Sequence, residues 1–533
     1  MNLERERYQQ GEAMDAGNRW ITLTDDAFVE DQFGLRRVVG HVAKHAENPV
    51  LRDAGGLPVV LYDAEQECFH MWTQGHDREA WEHQFVLHDF QASEHFYPYF
   101  VRYARSADGV NWEMPELGLV EDPEGRWRNI AVTGDWRAQS HWVWFNPDAS
   151  DRKRRFLMTY KDRPGGNPST LMLASSPDGI HFQTEREVLW HCSDGSHQPV
   201  YDEERDRWLL YTRPPNRALM ATGHYAGFNI KRRVAVHVGR TPWEWGYGRG
   251  CVFPEEECDV RDIDFVTVFR HGTHFVGLLT MMDMERQGSN EVHIATSRDG
   301  LSWSRFPHRP LFLPRGEDEA FDAGQAHGPV LAGVFEGEAT FYYMGTPDGQ
   351  KVPNGRPGGI GIARVREGRF VGMHGDGRGG YLLTRELKVT GSRLEVNFEP
   401  ADKTGFLRVR LLKRDASARH DKAAAVLEGY GFTDCDAIDR DVTGETVRWK
   451  ECGDLSALER RVVAFTDMSE GDIARWTWRF SESVNFKSDG TMSHEQHPIH
   501  VFDSPGGKTV RLTVEGPAGT DSFVIPYEEL FLK

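Results

Sequence analysis

Three stretches of this chain repeat one nine-residue phrase: "ARSADGVNW" from Ala104, "ASSPDGIHF" from Ala174 and "ATSRDGLSW" from Ala295. Each follows an alternating apolar segment ("FVRY", "LML", "EVHI") and precedes another polar-apolar run, which reads as strand, Asp-Gly turn, strand. Two weaker copies, "VGRTPWEW" at Val238 and "ARVREGRF" at Ala363, complete a series with spacings of 70, 64, 57 and 68 residues. Further hairpins lie between the phrases, among them "QPVYDEERDRWLLYTRP" and "FVTVFRHGTHFVGLLTM". Four strands per repeat, five times over at a period of about 60 to 70 residues, predict a five-bladed β-propeller. The phrase itself joins outer strands, so its duty is architectural.

Beyond Gly380 the phrase stops. "GYLLTRELKVTGSRLEVNFEPADKTGFLRVRLLKRD" reads as evenly spaced strands of a β-sandwich. A further unit starts near Leu455. The expected organisation is an extension over 1–20, the propeller over 21–380, a β-sandwich over 381–455 and an immunoglobulin-type sandwich over 456–533, all-β throughout.

A net charge of −19 speaks against nucleic acid or an anionic membrane as the main partner. Short basic runs such as "KRR" at Lys231 read as solvated turns. Cys68, Cys192, Cys251, Cys258, Cys435 and Cys452 show no metal-ligand spacing and read as free thiols. The first residues carry no apolar signal core, so the expected location is the cytoplasm, or outside the cell if a leader has been removed. The number of subunits is not legible.

The blade phrases, together with "DDAFVEDQFGLRRVVGHVAKHAENPVL", resemble the five-bladed propeller glycosidases of the family 32/43/68 superfamily, nearest to a family-32-like branch. The resemblance spans about Trp20 to Phe480. "FTDMSEG…WTW" and "HVFDSPGGKTVRLTV", within Val462–Ser522, resemble a PKD domain. The WMNDPNG motif of true fructosidases is absent, and Glu257-Cys258 and Arg261-Asp262 stand too close together to copy their acid/base and Arg-Asp-Pro motifs. The resemblance therefore implies the fold and an acidic trio on inner strands, without fructosidase chemistry. The phrase also resembles the Asp-box of sialidases, less one residue.

In a propeller the first strand of each blade lines a central funnel, and the residues entering that strand face a ligand. Three successive entries carry carboxylates: Asp194 in "CSDGSHQPVY", Asp262 and Asp264 in "CDVRDIDFVTVF", and Glu317, Glu319 and Asp322 in "GEDEAFDAGQAHGPV". Glycoside hydrolysis needs one carboxylic acid for the leaving oxygen and a carboxylate to attack or to activate water. The catalytic candidates are Asp194, Asp264, Asp322 and Glu319, with Asp262 in reserve. Asp322 ranks first because "FDAG" resembles a Phe-Asp-Ser-Gly entry of the family-32-like branch. Substrate-binding candidates are His197, Gln325, His327, Trp72, Tyr97 and Glu94, with Trp142 as a further stacking surface.

No cofactor is expected, although such acidic entries could hold a structural calcium ion on the propeller axis. The leading expectation is a glycoside hydrolase, exo-acting on a furanoside or small oligosaccharide. The alternatives are a noncatalytic carbohydrate-binding propeller and a polysaccharide lyase. An axial cluster of Arg, His and Tyr with no close carboxylates would point to the lyase.

Overall fold

The computed structural model describes residues 19–77, 98–120, 128–135, 137–163, 169–190, 195–214, 232–255, 259, 262–352, 355–375, 380–385, 387, 391–400, 405–414, 424–450 and 453–455, and strand segments between 462 and 525. The chain divides into two compact units, Val38–Gly372 and a second made of Met1–Arg37 with Met373–Lys533.

Val38–Gly372 is a five-bladed propeller built from antiparallel sheets. Blade I comprises Gly56–Asp63, Cys68–His76, Tyr99–Ser106 and Ile130–Val132. Blade II comprises Gln139–Phe145, Phe156–Asp162, Thr170–Ser176 and Gln183–Trp190. Blade III runs His197–Asp202, Arg207–Thr212 and Val234–Thr241, edged by Glu244–Trp245 and Arg249–Val252. Blade IV runs Asp262–His271, His274–Asp283 and Ser289–Ser297, edged by Ser304–Arg305 and Leu311–Leu313. Blade V runs Gln325–Phe335, Glu338–Thr346 and Gly359–Arg366. Its outer edge comes from the other end of the unit, through Ala43–Lys44 and Leu51–Arg52. This joins the two ends of the unit in one blade.

The first strands of the blades adjoin one another around the axis. Middle strands are covered on both faces by neighbouring blades, and His274–Asp283 is buried from end to end. That double burial is why such segments read as unbroken apolar runs. The outer strand Gln183–Trp190 is polar and mostly exposed.

The three phrases form one turn. Ser106 Oγ donates to Asp108 Oδ1 (3.0 Å) and accepts from Gly109 N (2.9 Å), while Asp108 Oδ1 also accepts from Val110 N and Asn111 N. Asp178 caps Ile180 N and His181 N in the same way, and Asp299 caps Leu301 N and Ser302 N. The turn also fastens neighbouring blades. Its glycine carbonyl accepts from an aromatic donor on the middle strand of the preceding blade: Trp72 Nε1 to Gly179 O (2.8 Å), Tyr211 OH to Gly300 O (2.7 Å) and Tyr342 OH to Gly109 O (2.7 Å). The glycines have φ of 74°, 78° and 68°, a region that other residues enter only with strain. A Cβ on Gly300 would lie 2.4 Å from Leu209 Cδ1 and 2.8 Å from the Tyr211 hydroxyl. Gly300→Ala should therefore cost about 2–3 kcal/mol, from backbone strain plus the clash. Chemical denaturation would read this as an earlier midpoint; an unchanged midpoint would remove the lock from the account.

The second unit is narrower in its strands. Val29–Phe33 pairs with Tyr381–Thr384 within this unit. Glu395–Phe398 pairs with Val442–Thr446 over a small core of Val447, Trp449, Ile438 and Cys435. Further on, Thr491–Ser493, Arg475–Ser481, Thr509–Gly516 and Gly519–Ile525 form one antiparallel sheet. Among the described residues no α-helix occurs.

Candidate active site

Asp264 is a buried carboxylate on the inner strand of blade IV. It lies near the start of the first strand of blade IV, where the ladder to the second strand slips between Ile263 and Phe265. Such a bulge re-aims a side chain that a regular strand would commit to one face. A matching slip in blade V lies between His327 and Val330. The two irregularities bring the side chains together across the seam: His327 Nε2 is 3.1 Å from Asp264 Oδ2. The other carboxylate oxygen accepts from Arg213 (2.9 Å) and from Arg232. These arginines flank the segment between the second and third strands of blade III. One carboxylate thus ties three blades together.

Asp264 is 7% exposed. Burial alone would raise its pKa, but the His327 hydrogen bond and the charges of Arg213 and Arg232 outweigh it and hold the carboxyl well below the usual range. It is an anion at any working pH, and therefore no proton donor. The His327 ring packs against Phe265, with centroids 5.3 Å apart. The following residue, Gly328, donates its N–H to Thr280 Oγ1. Asp262 is half-buried and accepts from the backbone N–H of Arg232.

The other sequence candidates are distributed differently. Asp322 is 2% exposed and bonded within blade V: Lys44 Nζ (2.6 Å) and the Tyr343 hydroxyl (2.8 Å) both donate to its Oδ2. Lys44 belongs to the outer edge of that blade and Tyr343 to its second strand, so the carboxylate pins the closing strand. Glu319 is the opposite case, with its side chain 90% exposed beside Arg356. Glu317 is also exposed. Gln325 uses both ends of its amide, accepting from Asn290 across the seam and donating to Thr346 of its own blade. His197 is buried with Nδ1 3.4 Å from Ser140 O. Trp72 is fully buried and bonded to Gly179, a seam fastening rather than a sugar platform, and Trp142 sits in the same apolar cluster. Asp194, Glu94, Tyr97, Glu257, Cys258 and Arg261 lie outside the described residues.

Arg213 and Arg232 escaped the sequence reading. "KRR" resembled a solvated turn, yet the Arg232 side chain is 18% exposed and bound to Asp264. The available signal was position: each arginine ends a segment next to a middle strand of blade III, at the height of the funnel entries. Cys68, Cys251 and Cys435 are free thiols, and burial pushes Cys251 up to about 12. Among the described residues, no three His, Cys, Asp or Glu side chains come together so as to hold a metal ion.

His141, on the first strand of blade II, is 2% exposed, and burial pushes its pKa down from 6.5 to about 4 against the opposing effect of the Trp72 backbone. A histidine with a depressed folded pKa stabilises the fold fully above its unfolded value. That stability is lost as pH falls from about 6.5 toward 4, by up to roughly 3 kcal/mol. Denaturation midpoints should fall across this window, and His141→Gln should flatten the dependence. Equal slopes in the two proteins would exclude His141 as its source.

The PKD domain family model matches residues 456–525. No curated protein matches the chain. Among solved structures, a thermostable family-43 glycoside hydrolase is similar at 15% identity, over 63% of this chain and 96% of its own, with a TM-score of 0.41. The catalytic domain of the Coprinopsis cinerea GH62 α-L-arabinofuranosidase is similar at 10% identity, over 61% and 97%, with a TM-score of 0.40. The β-1,2-mannobiose phosphorylase of Listeria innocua is similar at 9% identity, over 61% and 97%, with a TM-score of 0.42.

Proposed function

We propose that this chain is a carbohydrate-active enzyme that hydrolyses a glycosidic bond in the propeller funnel around Asp264. The observation that carries this reading is the buried Asp264 carboxylate, kept ionised by two guanidiniums and an imidazole on a bulge at the funnel entry. Held in this way, the carboxylate would fix Arg213, Arg232 and His327 in place at the strand entry, where their remaining polar atoms would meet the sugar. Because Asp264 stays ionised, the proton for the leaving oxygen must come from another carboxyl group. This reading assigns that role to Asp194, three residues before His197 in the sequence. A furanoside or a small oligosaccharide cleaved from its end is the substrate class proposed.

One observation favours a second reading. Arg213, Arg232 and His327 converge on one point, which is the equipment for neutralising a uronate carboxylate and removing the adjacent proton in an elimination. Asp264 in their midst favours hydrolysis.

Nitrophenyl glycosides and plant or microbial oligosaccharides, incubated with the full chain, separate the readings. Hydrolysis yields new reducing ends with saturated products; elimination yields an ultraviolet-absorbing unsaturated uronate. Saturable binding without any product would favour the noncatalytic propeller and overturn both.

A further inference from the structure

We propose that Nδ1 of His327 is the acceptor through which the funnel reads one hydroxyl of its substrate, and that Asp264 is the positioning residue that fixes it in this role. The inference rests on the funnel being a glycoside site, and it adds how the site discriminates between sugars. Asp264 is ionised, so its oxygens only accept. In the neutral imidazole, the 3.1 Å contact between Nε2 and Asp264 Oδ2 then requires the ring proton on Nε2. The lone pair is left on Nδ1. That nitrogen is buried and has no hydrogen-bond partner among the described residues.

The ring has little freedom to resolve this by turning. A half-rotation about its bond to Cβ would withdraw Nε2 from Asp264, and the Phe265 ring packs beside it. Gly328, next in the chain, is tied to Thr280. A buried acceptor left unmet is unfavourable, and a hydroxyl arriving with a sugar supplies the donor. A site built this way rejects an analogue that lacks the hydroxyl far more strongly than an apolar pocket rejects a missing methylene.

Two measurements on the full chain test the proposal. Long-range proton–nitrogen spectra of the labelled protein, with His327 assigned by comparison with His327→Gln, should show the Nε2–H tautomer, and Asp264→Asn should lose it. A wild-type ring protonated on Nδ1 would overturn the proposal. The second measurement takes the nitrophenyl glycoside turned over fastest and its monodeoxy analogues. In the wild type one missing hydroxyl should lower kcat/KM by about 10- to 100-fold, and in His327→Phe that penalty should vanish. Penalties that persist at every position in the variant would also overturn it. If no glycoside is turned over, the glycosidase reading fails, while the spectra still decide whether Asp264 holds the ring.

Discussion

Asp264→Asn should lower turnover by at least two orders of magnitude and bring the unfolding midpoint down as well. The change is nearly isosteric, so its effect is electrostatic. An amide has one accepting and one donating end, whereas Arg213, Arg232 and His327 all present N–H groups to the native carboxylate. If the amide oxygen stays with the arginines, its NH₂ faces Nε2–H of His327, and the ring must shift its proton or move away. Two guanidiniums also lose their buried counter-charge, a change that costs about 3–5 kcal/mol when one partner of such a pair is removed. Turnover should be measured well below the variant's midpoint, with circular dichroism confirming a folded sample. Wild-type kcat/KM in that folded sample would take Asp264 out of the chemistry.

Asp322→Ala should do the reverse. Removing this carboxylate leaves Lys44 Nζ and the Tyr343 hydroxyl facing a cavity, at a cost of about 3–5 kcal/mol, and the loss falls on the strand that closes the ring. The midpoint should drop sharply while folded molecules keep turnover within a few-fold of wild type. Replacing both charges, as in Lys44→Met with Asp322→Leu, should recover part of the loss, because a packed apolar pair carries no desolvation penalty. A folded Asp322→Ala that loses as much turnover as Asp264→Asn would move Asp322 into the site.

The contrast between these aspartates shows what the sequence could convey. Blade number was legible because the turn phrase is local: Ser106, Asp108 and Gly109 bond within a few residues, so the same words recur wherever the same turn is made. All five phrase positions, including the weak copies at Val238 and Ala363, fall on third strands. The proposed site was legible only to the resolution of a strand entry. Asp264 and Asp322 occupy comparable entries, and their difference is set by partners far along the chain, His327 for one and Lys44 for the other. A one-residue bulge re-aims Asp264, whereas Asp322 sits in the turn before its strand, and neither difference leaves a mark in a list of apolar and polar residues. Arg232 was missed for a related reason: a basic run looks solvated until its counter-ion is found on the next blade. Trp72 carried the opposite ambiguity, since a large aromatic with one N–H suits a sugar face and a buried seam equally.

The aromatic bonds to the turn glycines have a consequence for how the ring comes apart. They fasten blade V to I, I to II and III to IV, and the last two seams also carry ion pairs of Arg155 and Arg270 with the buried Asp63 and Asp202. The turns of blades III and V, "RTPWEW" and "REGRF", lack the Asp-Gly phrase, and these are the turns that face blades II and IV. The seams are therefore fastened unequally. Blades IV and V share a strand pairing at Asn290 and Gln325 as well as the Asp264–His327 contact, whereas blades II and III have neither an aromatic bond to a turn glycine nor a strand pairing among the described residues. Sub-global opening should start at the seam between blades II and III. A sugar held by His327 would add to the hold on the IV–V seam, so that occupancy and resistance to opening rise together.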